Sequence, residues 1–201
     1  DFRQQALRSG LRHLTAALIT HEHNDHIIGL DDIRPFNFMT RSELNVYARP
    51  QVGEEIKKRF AYIFSVKPYP GAPRVKLKSF KNNKAFRIAD LSVFPMEVMH
   101  GKMPVTGFIF DRVAYVTDAK TIDEDQKAYL KDLDVLILNA LHKKEHYSHL
   151  NLQEAVDLAL ELRVKKCYLT HISHNMGLHE DVEKELPEHI HLAYDDLEIE
   201  L

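Results

Sequence analysis

"ITHEHNDHIIG", residues 19–29, brings His21, His23, Asp25 and His26 within six positions, directly after an apolar run that reads as a strand over 15–20. A strand end is a rigid mount from which a loop can aim several side chains at one point. His21 and His23 alternate with Glu22, so both can face one metal ion while the glutamate points away, and Asp25 and His26 can serve a second. Imidazole nitrogen with carboxylate oxygen suits zinc and also manganese or iron, so the donor types alone do not select the metal. A lone H-x-H is explained as well by two surface histidines. Four ligand-type residues in the order H-x-H-x-D-H after a strand point instead to a metal site.

Working outward, strand-like runs recur at 44–49, 75–80, 86–99, 105–110, 112–117, 134–140, 165–170 and 190–200, the last read as a hairpin turning at Asp195 and Asp196. Helices are predicted at 51–64, 123–131, 152–162 and 178–186, each with acidic residues near its start, and "DFRQQALRSG" opens the chain as a short helix stopped by Gly10. The pattern is mixed α and β. Only "KPYPGAP", 67–73, is turn-rich, and no repeat or linker divides the chain, so a single domain over residues 1–201 is expected.

Composition bounds the function. With 201 residues and 44% hydrophobic content the chain can bury a substantial core. Its 27 basic and 30 acidic residues, net charge -3, are spread along the sequence without a basic tract, so no nucleic-acid partner is expected. Cys167, in "KKCYLTH", is the single cysteine; an inert buried thiol and a reducing, cytoplasmic setting are expected of it. The longest apolar runs, such as "VLILNAL" at 135–141, are far short of a membrane span, and no charged-then-apolar leader opens the sequence, so no membrane partner is expected. Thirteen histidines stand out, and their grouping matters more than their number.

The H-x-H-x-D-H stretch resembles the signature of the metallo-β-lactamase fold hydrolases. Three more segments resemble the family's pattern in the expected order: "EVMHGK" offers His100 after a strand, "VAYVTDAK" offers Asp118, and "CYLTHISH" offers His171. Taken alone, Asp118 reads equally as a turn or helix N-cap aspartate, and His171 as a satisfied buried histidine. The resemblance implies an α/β fold, the αβ/βα four-layer sandwich. It implies two divalent metal ions (zinc or manganese, with iron also compatible), one held by His21, His23 and His100, the other by Asp25, His26 and His171, with Asp118 between them. Such a site suits hydrolysis by a hydroxide bridging the two ions, which Asp25 would help to orient.

"HKKEHYSHLNLQEAVDLALEL", residues 142–162, narrows the resemblance. Asn151 and Glu154 have the spacing of a capping box, which sets His149 just ahead of a helix N-terminus, where free N–H groups and the dipole favour an anion. The stretch resembles the phosphodiesterase branch, above all the phosphoribosyl cyclic phosphate phosphodiesterases of the carbon-phosphorus lyase pathway. There a histidine before an "NLQEA"-like helix binds phosphate or protonates the leaving oxygen, and His149 matches it. His142 and His146 are expected to be exposed loop histidines, the plain reading of His149 as well. "GLDDIRPFNF" also resembles the branch, with Arg34 either gripping phosphate or pairing with Asp31 or Asp32. Lys102 and the "HEDVEKE" run, 179–185, read as solvated surface.

Two departures qualify the resemblance. Members of this branch begin with a glycine-rich β-hairpin, and several carry a cysteine cluster that binds a structural zinc with the histidine three residues beyond the last catalytic ligand. His174 occupies that position, but its cysteine partners are absent. The sequence is therefore expected to lack the fold's first strands, with His174 an orphan ligand. The function implied is hydrolysis of a small cyclic or activated phosphodiester, the only partner expected, with a homodimer left open. The alternatives are a thioester hydrolase of the glyoxalase II kind and a non-catalytic metal-binding module; a tRNA-processing nuclease is disfavoured by the acidic charge balance.

Overall fold

The computed structural model describes residues 1–201, which divide into two compact units, Asp1–Leu91 and Ser92–Leu201. In the first, helix α1 (Phe2–Arg8) is capped by Asp1, whose carboxylate accepts from the Gln4 N–H at 2.8 Å. Three parallel strands form its sheet in the order β1 (Ala16–Leu18), β2 (Leu44–Ala48), β3 (Val75–Ser79). Central β2 alternates buried and half-buried residues, the pattern of a strand with one fully covered face. Val46 packs there with Val52 and Ile56 of α4 (Pro50–Arg59), all three with no exposed surface. Asn37 bridges loops, its amide donating to the Ser42 and Arg74 carbonyls at 3.0 Å and accepting from the Arg74 N–H at 2.8 Å.

Between β1 and β2 run helix α2 (Asn24–Ile27), a 3-10 helix (Ile28–Ile33) and helix α3 (Arg34–Thr40). None was legible, because no apolar period of 3.6 spans pieces this short. Gly29 has a steric reason: a Cβ there would lie 2.6 Å from the Phe2 Cβ, so α1 packs on bare backbone. The last strand of the unit, β4 (Phe86–Ile88), brings Phe86 into a stack with Phe80 and Tyr47, ring centres 5.4 and 5.2 Å away.

In the second unit the strands follow the order β10 (Ile190–Leu192), β9 (Lys166–Thr170), β8 (Val135–Asn139), β7 (Val113–Val116), β6 (Met103–Phe110), β5 (Leu91–His100). Strands β7 to β10 are parallel, whereas β5, β6 and β7 are antiparallel neighbours. The near-continuous apolar run of β8 fits a parallel strand covered on both faces, whereas β9 alternates buried with more exposed residues. Helix α6 (Leu152–Leu162) carries the expected capping box, with Asn151 Oδ1 accepting from the Glu154 N–H and the Glu154 carboxylate from the Asn151 N–H, both at 2.9 Å. Helices α5 (Glu124–Lys127) and α7 (His179–Glu183) are shorter than the sequence suggested.

Two strand expectations are corrected. The run 86–99 is broken at Ala89 (φ +49°) and Asp90, which separate β4 from β5. The expected hairpin over 190–200 does not form: only Ile190–Leu192 is strand, and a turn closed by the Leu197 N–H on the Tyr194 carbonyl follows without a return strand. "HEDVEKE" is not wholly solvated either, because the Glu183 carboxylate accepts from the Leu192 N–H at 2.8 Å and lies 2.7 Å from His191 Nδ1. No helix is long and apolar enough to cross a membrane. Leu136, at the heart of β8, has no exposed surface. Its replacement by alanine should lower unfolding free energy by about 2–5 kcal/mol, read as a shifted urea midpoint at unchanged slope.

Candidate metal centre

The H-x-H-x-D-H loop leaves β1 and turns at once into α2, whose first residue follows His23. Ligand spacing therefore comes from a change of backbone period, extended through His21 and His23 and helical through Asp25 and His26. His21 is fully buried, with its Nδ1 3.0 Å from the Thr20 hydroxyl and its Nε2 3.1 Å from His23 Nδ1. Holding Nδ1 against a hydroxyl fixes the ring and turns Nε2 toward a ligand role. His26 lies against the same ring, centroids 4.2 Å apart, and its Nε2 is 3.2 Å from the exposed Asp25 carboxylate. From the end of α4, Arg59 donates to the Glu22 carbonyl at 2.6 Å and to Asn24 Oδ1 at 2.7 Å, pinning the loop from outside.

In the second unit His100, Asp118 and His171 come together at strand ends, joined by His149 from the loop before α6. His100 closes β5, Asp118 stands two residues past β7, and His171 directly follows β9. The Asp118 carboxylate is 1% exposed and lies 3.2 Å from His171 Nε2, 3.5 Å from His149 Nε2 and 4.0 Å from His100 Nε2. Ligand atoms of His100, Asp118 and His149 all lie within 4.8 Å of one another. Both Asp118 (φ +57°) and His171 (φ +54°) adopt left-handed backbone, a strained conformation for residues with a Cβ that concentrates where a side chain must be aimed.

Two supports were not anticipated. Asn139, fully buried at the end of β8, accepts from the Ala119 N–H at 2.7 Å and donates to the Ala119 carbonyl at 3.0 Å, clamping the peptide beside Asp118. A polar residue closing the apolar run "VLILN" was the available signal. The second is the Ser148 carbonyl, 2.8 Å from His100 Nδ1, which leaves Nε2 on the carboxylate side. Gly101 makes this approach feasible: its φ is +59°, and a Cβ there would sit 3.3 Å from the Ser148 Cβ.

His149 is buried, with Nδ1 3.1 Å from both the Ser148 hydroxyl and His146 Nδ1, and its Nε2 makes no hydrogen bond. His142 and His146 are half-buried neighbours, not the exposed loop histidines expected, because the loop folds back on itself. Burial, reinforced by His149 and His142, holds the His146 pKa below its ordinary value. The anion-binding expectation for the α6 N-terminus is narrowed as well. The Asn151, Leu152 and Glu154 N–H groups are already used by Glu154, the His142 carbonyl and Asn151, which leaves mainly the helix dipole.

Arg34 is exposed and lays its guanidinium over the Phe38 ring, 5.4 Å to the centroid, a third arrangement beside the two expected, a phosphate grip or a pair with Asp31 or Asp32. Lys102 is exposed as expected, and His174, the residue expected to be an orphan ligand, is exposed too. Cys167 is buried in β9, where burial pushes its thiol up to about 12, the inert thiol expected.

Comparison with known proteins accords with this arrangement. Residues 1–172 match the Beta-lactamase superfamily domain. A crystal structure described as a new diphosphatase from the PhnP family superposes with a TM-score of 0.91 at 36% identity, covering 100% of this chain and 77% of that one. Zn(2+)-bound PqqB from Methylobacterium extorquens, at 18% identity, shares the fold (TM-score 0.71, 92% of this chain and 73% of that one). An octanoyltransferase of Porphyromonas gingivalis is 42% identical over 199 residues, 98% of this chain, which spans only 40% of that relative's length. The chain belongs to the metallo-β-lactamase superfamily, in its PhnP branch, and has that α/β fold. That family usually binds divalent metals, and imidazole and carboxylate donors that converge on buried Asp118 fit them.

Asn139→Leu should test the clamp. It leaves the Ala119 N–H without an acceptor, while the Ala119 carbonyl keeps the Leu150 N–H at 2.8 Å. Zinc or manganese affinity measured by calorimetry is expected to fall by about 10- to 100-fold, the scale for losing a group that orients a ligand.

Proposed function

We propose that the protein is a dinuclear metal-dependent phosphodiesterase acting on a small cyclic or activated phosphodiester. His21, His23 and His100 would hold one divalent ion, Asp25, His26 and His171 the other, and Asp118 both. The observation that carries the reading is the Asp118 cluster, a carboxylate almost wholly removed from water and faced by three imidazoles. An anion so buried calls for compensating positive charge. When bound there, two divalent ions would lower the pKa of a water toward neutrality and offset charge on the phosphoryl oxygens.

The chain's own groups do the rest. Asp118, fixed through the Thr117 hydroxyl at 2.8 Å and its left-handed backbone, keeps its carboxylate aimed at the centre. Asp25 is exposed enough to accept a proton from attacking water. His149 comes from the loop before α6 with Nε2 making no hydrogen bond, so a protonated ring can hand that proton to the departing ester oxygen or hold the phosphate. Its Nδ1 is steadied by Ser148 and His146, which keeps the ring from swinging away.

Octanoyl transfer is not assigned to this chain. Its sole thiol is buried and held protonated by a pKa of about 12, and the relative bearing that name is mostly sequence this chain does not span.

His149→Ala should leave metal content intact and lower turnover by roughly 10² to 10⁴ on a cyclic ribose phosphate, whose alkoxide leaving group needs a proton. The loss should be much smaller on bis(p-nitrophenyl) phosphate, because p-nitrophenolate departs unaided. Equal losses on both would make His149 a phosphate ligand only. Turnover of S-lactoylglutathione in preference to either phosphoester would overturn the phosphodiesterase reading. Asp118→Ala should abolish turnover, with mass spectrometry under native conditions finding fewer than two ions bound.

A further inference from the structure

The loop from His142 to His149 carries a feature that the proposed chemistry leaves unused. Tyr147 is 84% exposed, the most exposed aromatic side chain of the protein, although its neighbours Ser148 and His149 are buried. Isolated exposed apolar side chains are ordinary. This one differs in its mounting and its place. Its backbone is held at the next residue: the Ser148 carbonyl is tied to His100, and the Ser148 N–H donates to His146 Nδ1 at 3.3 Å. The Leu141 N–H donates to the Leu150 carbonyl at 3.0 Å across the base of the loop. The Tyr147 ring also has a partner, because His146 lies against it with centroids 4.7 Å apart and planes inclined by 34°. His146 in turn reaches His149, at 3.1 Å between Nδ1 atoms.

We propose that Tyr147, backed by His146, is a stacking platform for a nucleobase, and that the substrates are phosphodiesters with a nucleoside on one ester arm. The proposal rests on the phosphodiesterase reading and specifies the substrate class of that same site. A base has an apolar face that a fixed, solvent-facing aromatic ring can cover, and the binding is tolerant of base identity because every base has such a face. Pre-organisation matters here: a ring already held by loop and partner loses little freedom when a base settles on it. With His149 at the phosphate and Tyr147 two residues away on the outside of the loop, one short segment would meet both parts of a nucleotide.

The test compares two esters with the same leaving group, thymidine 5′-(p-nitrophenyl phosphate) and methyl p-nitrophenyl phosphate, on the manganese-loaded enzyme. Wild type should prefer the thymidine ester. Tyr147→Ala should lower kcat/KM for that ester by roughly 5- to 100-fold, mainly through KM, and leave the methyl ester unchanged. Tyr147→Phe should behave as wild type, since the ring is what binds, and an exposed side chain should leave the melting temperature alone in both variants. Equal losses on the two esters, or none on the thymidine ester, overturn the proposal. If wild type cleaves neither ester, the phosphodiesterase reading falls, and calorimetric binding of AMP then decides the platform by itself. Weakening by Tyr147→Ala with retention by Tyr147→Phe upholds it, and unchanged affinity overturns it.

Discussion

A carboxylate shut away from water and ringed by imidazoles is the constraint on which the second unit depends. Asp118 cannot sit there as an uncompensated anion, since desolvation of a lone charge costs far more than one fold's net stability can absorb. Everything around it serves to bring compensating groups to one point. Parallel strands end on the same side of a sheet, so residues at or just past the ends of β7, β8 and β9 are neighbours in space although about twenty to thirty positions apart in sequence. Asp118, Asn139 and His171 are those residues. The antiparallel β5 reaches the cluster from its own end with His100, and the loop before α6 adds His149.

The first unit solves a different problem with a shorter piece of chain. Four donors are drawn from one loop by switching from extended to helical backbone within it, and packing rather than sheet topology then fixes them. Thr20 holds His21 from within, Arg59 holds the loop's backbone from α4, and bare backbone at Gly29 lets α1 approach directly behind it. That glycine, the last letter of the opening stretch, thus has a steric role and no chemical one.

Much of this was legible in the sequence because the informative residues have unusual chemistry in a fixed order. The ligand-type residues were recognised by resemblance, and the strands by runs of apolar residues whose period is short enough to survive in five letters. The capping box of α6 was readable because both halves of it lie within four positions. What was not legible depended on distance. Nothing local marks the Ser148 carbonyl as the partner of His100, since a carbonyl belongs to every residue and the two lie 48 positions apart. Asn139 showed only as a polar ending to an apolar strand. The short helices between residues 24 and 40 escaped because their positions are occupied by metal-type donors and a 3-10 turn, which erase the helical period. His142 and His146 were misjudged for a related reason: a loop's polarity does not reveal that it folds over its own histidines.

The dependence of His100 on a main-chain oxygen has a consequence for how this protein can change over time. Because that carbonyl comes from the path of the loop, and the Ala119 peptide is likewise gripped by its backbone atoms, many amino acids could replace Ser148 or Ala119 without disturbing the contact itself. Lengthening or shortening the segment between His142 and His149 by one residue would slide the oxygen out of register. Divergence among descendants of this chain should therefore run through exchanged letters in that loop and spare its length.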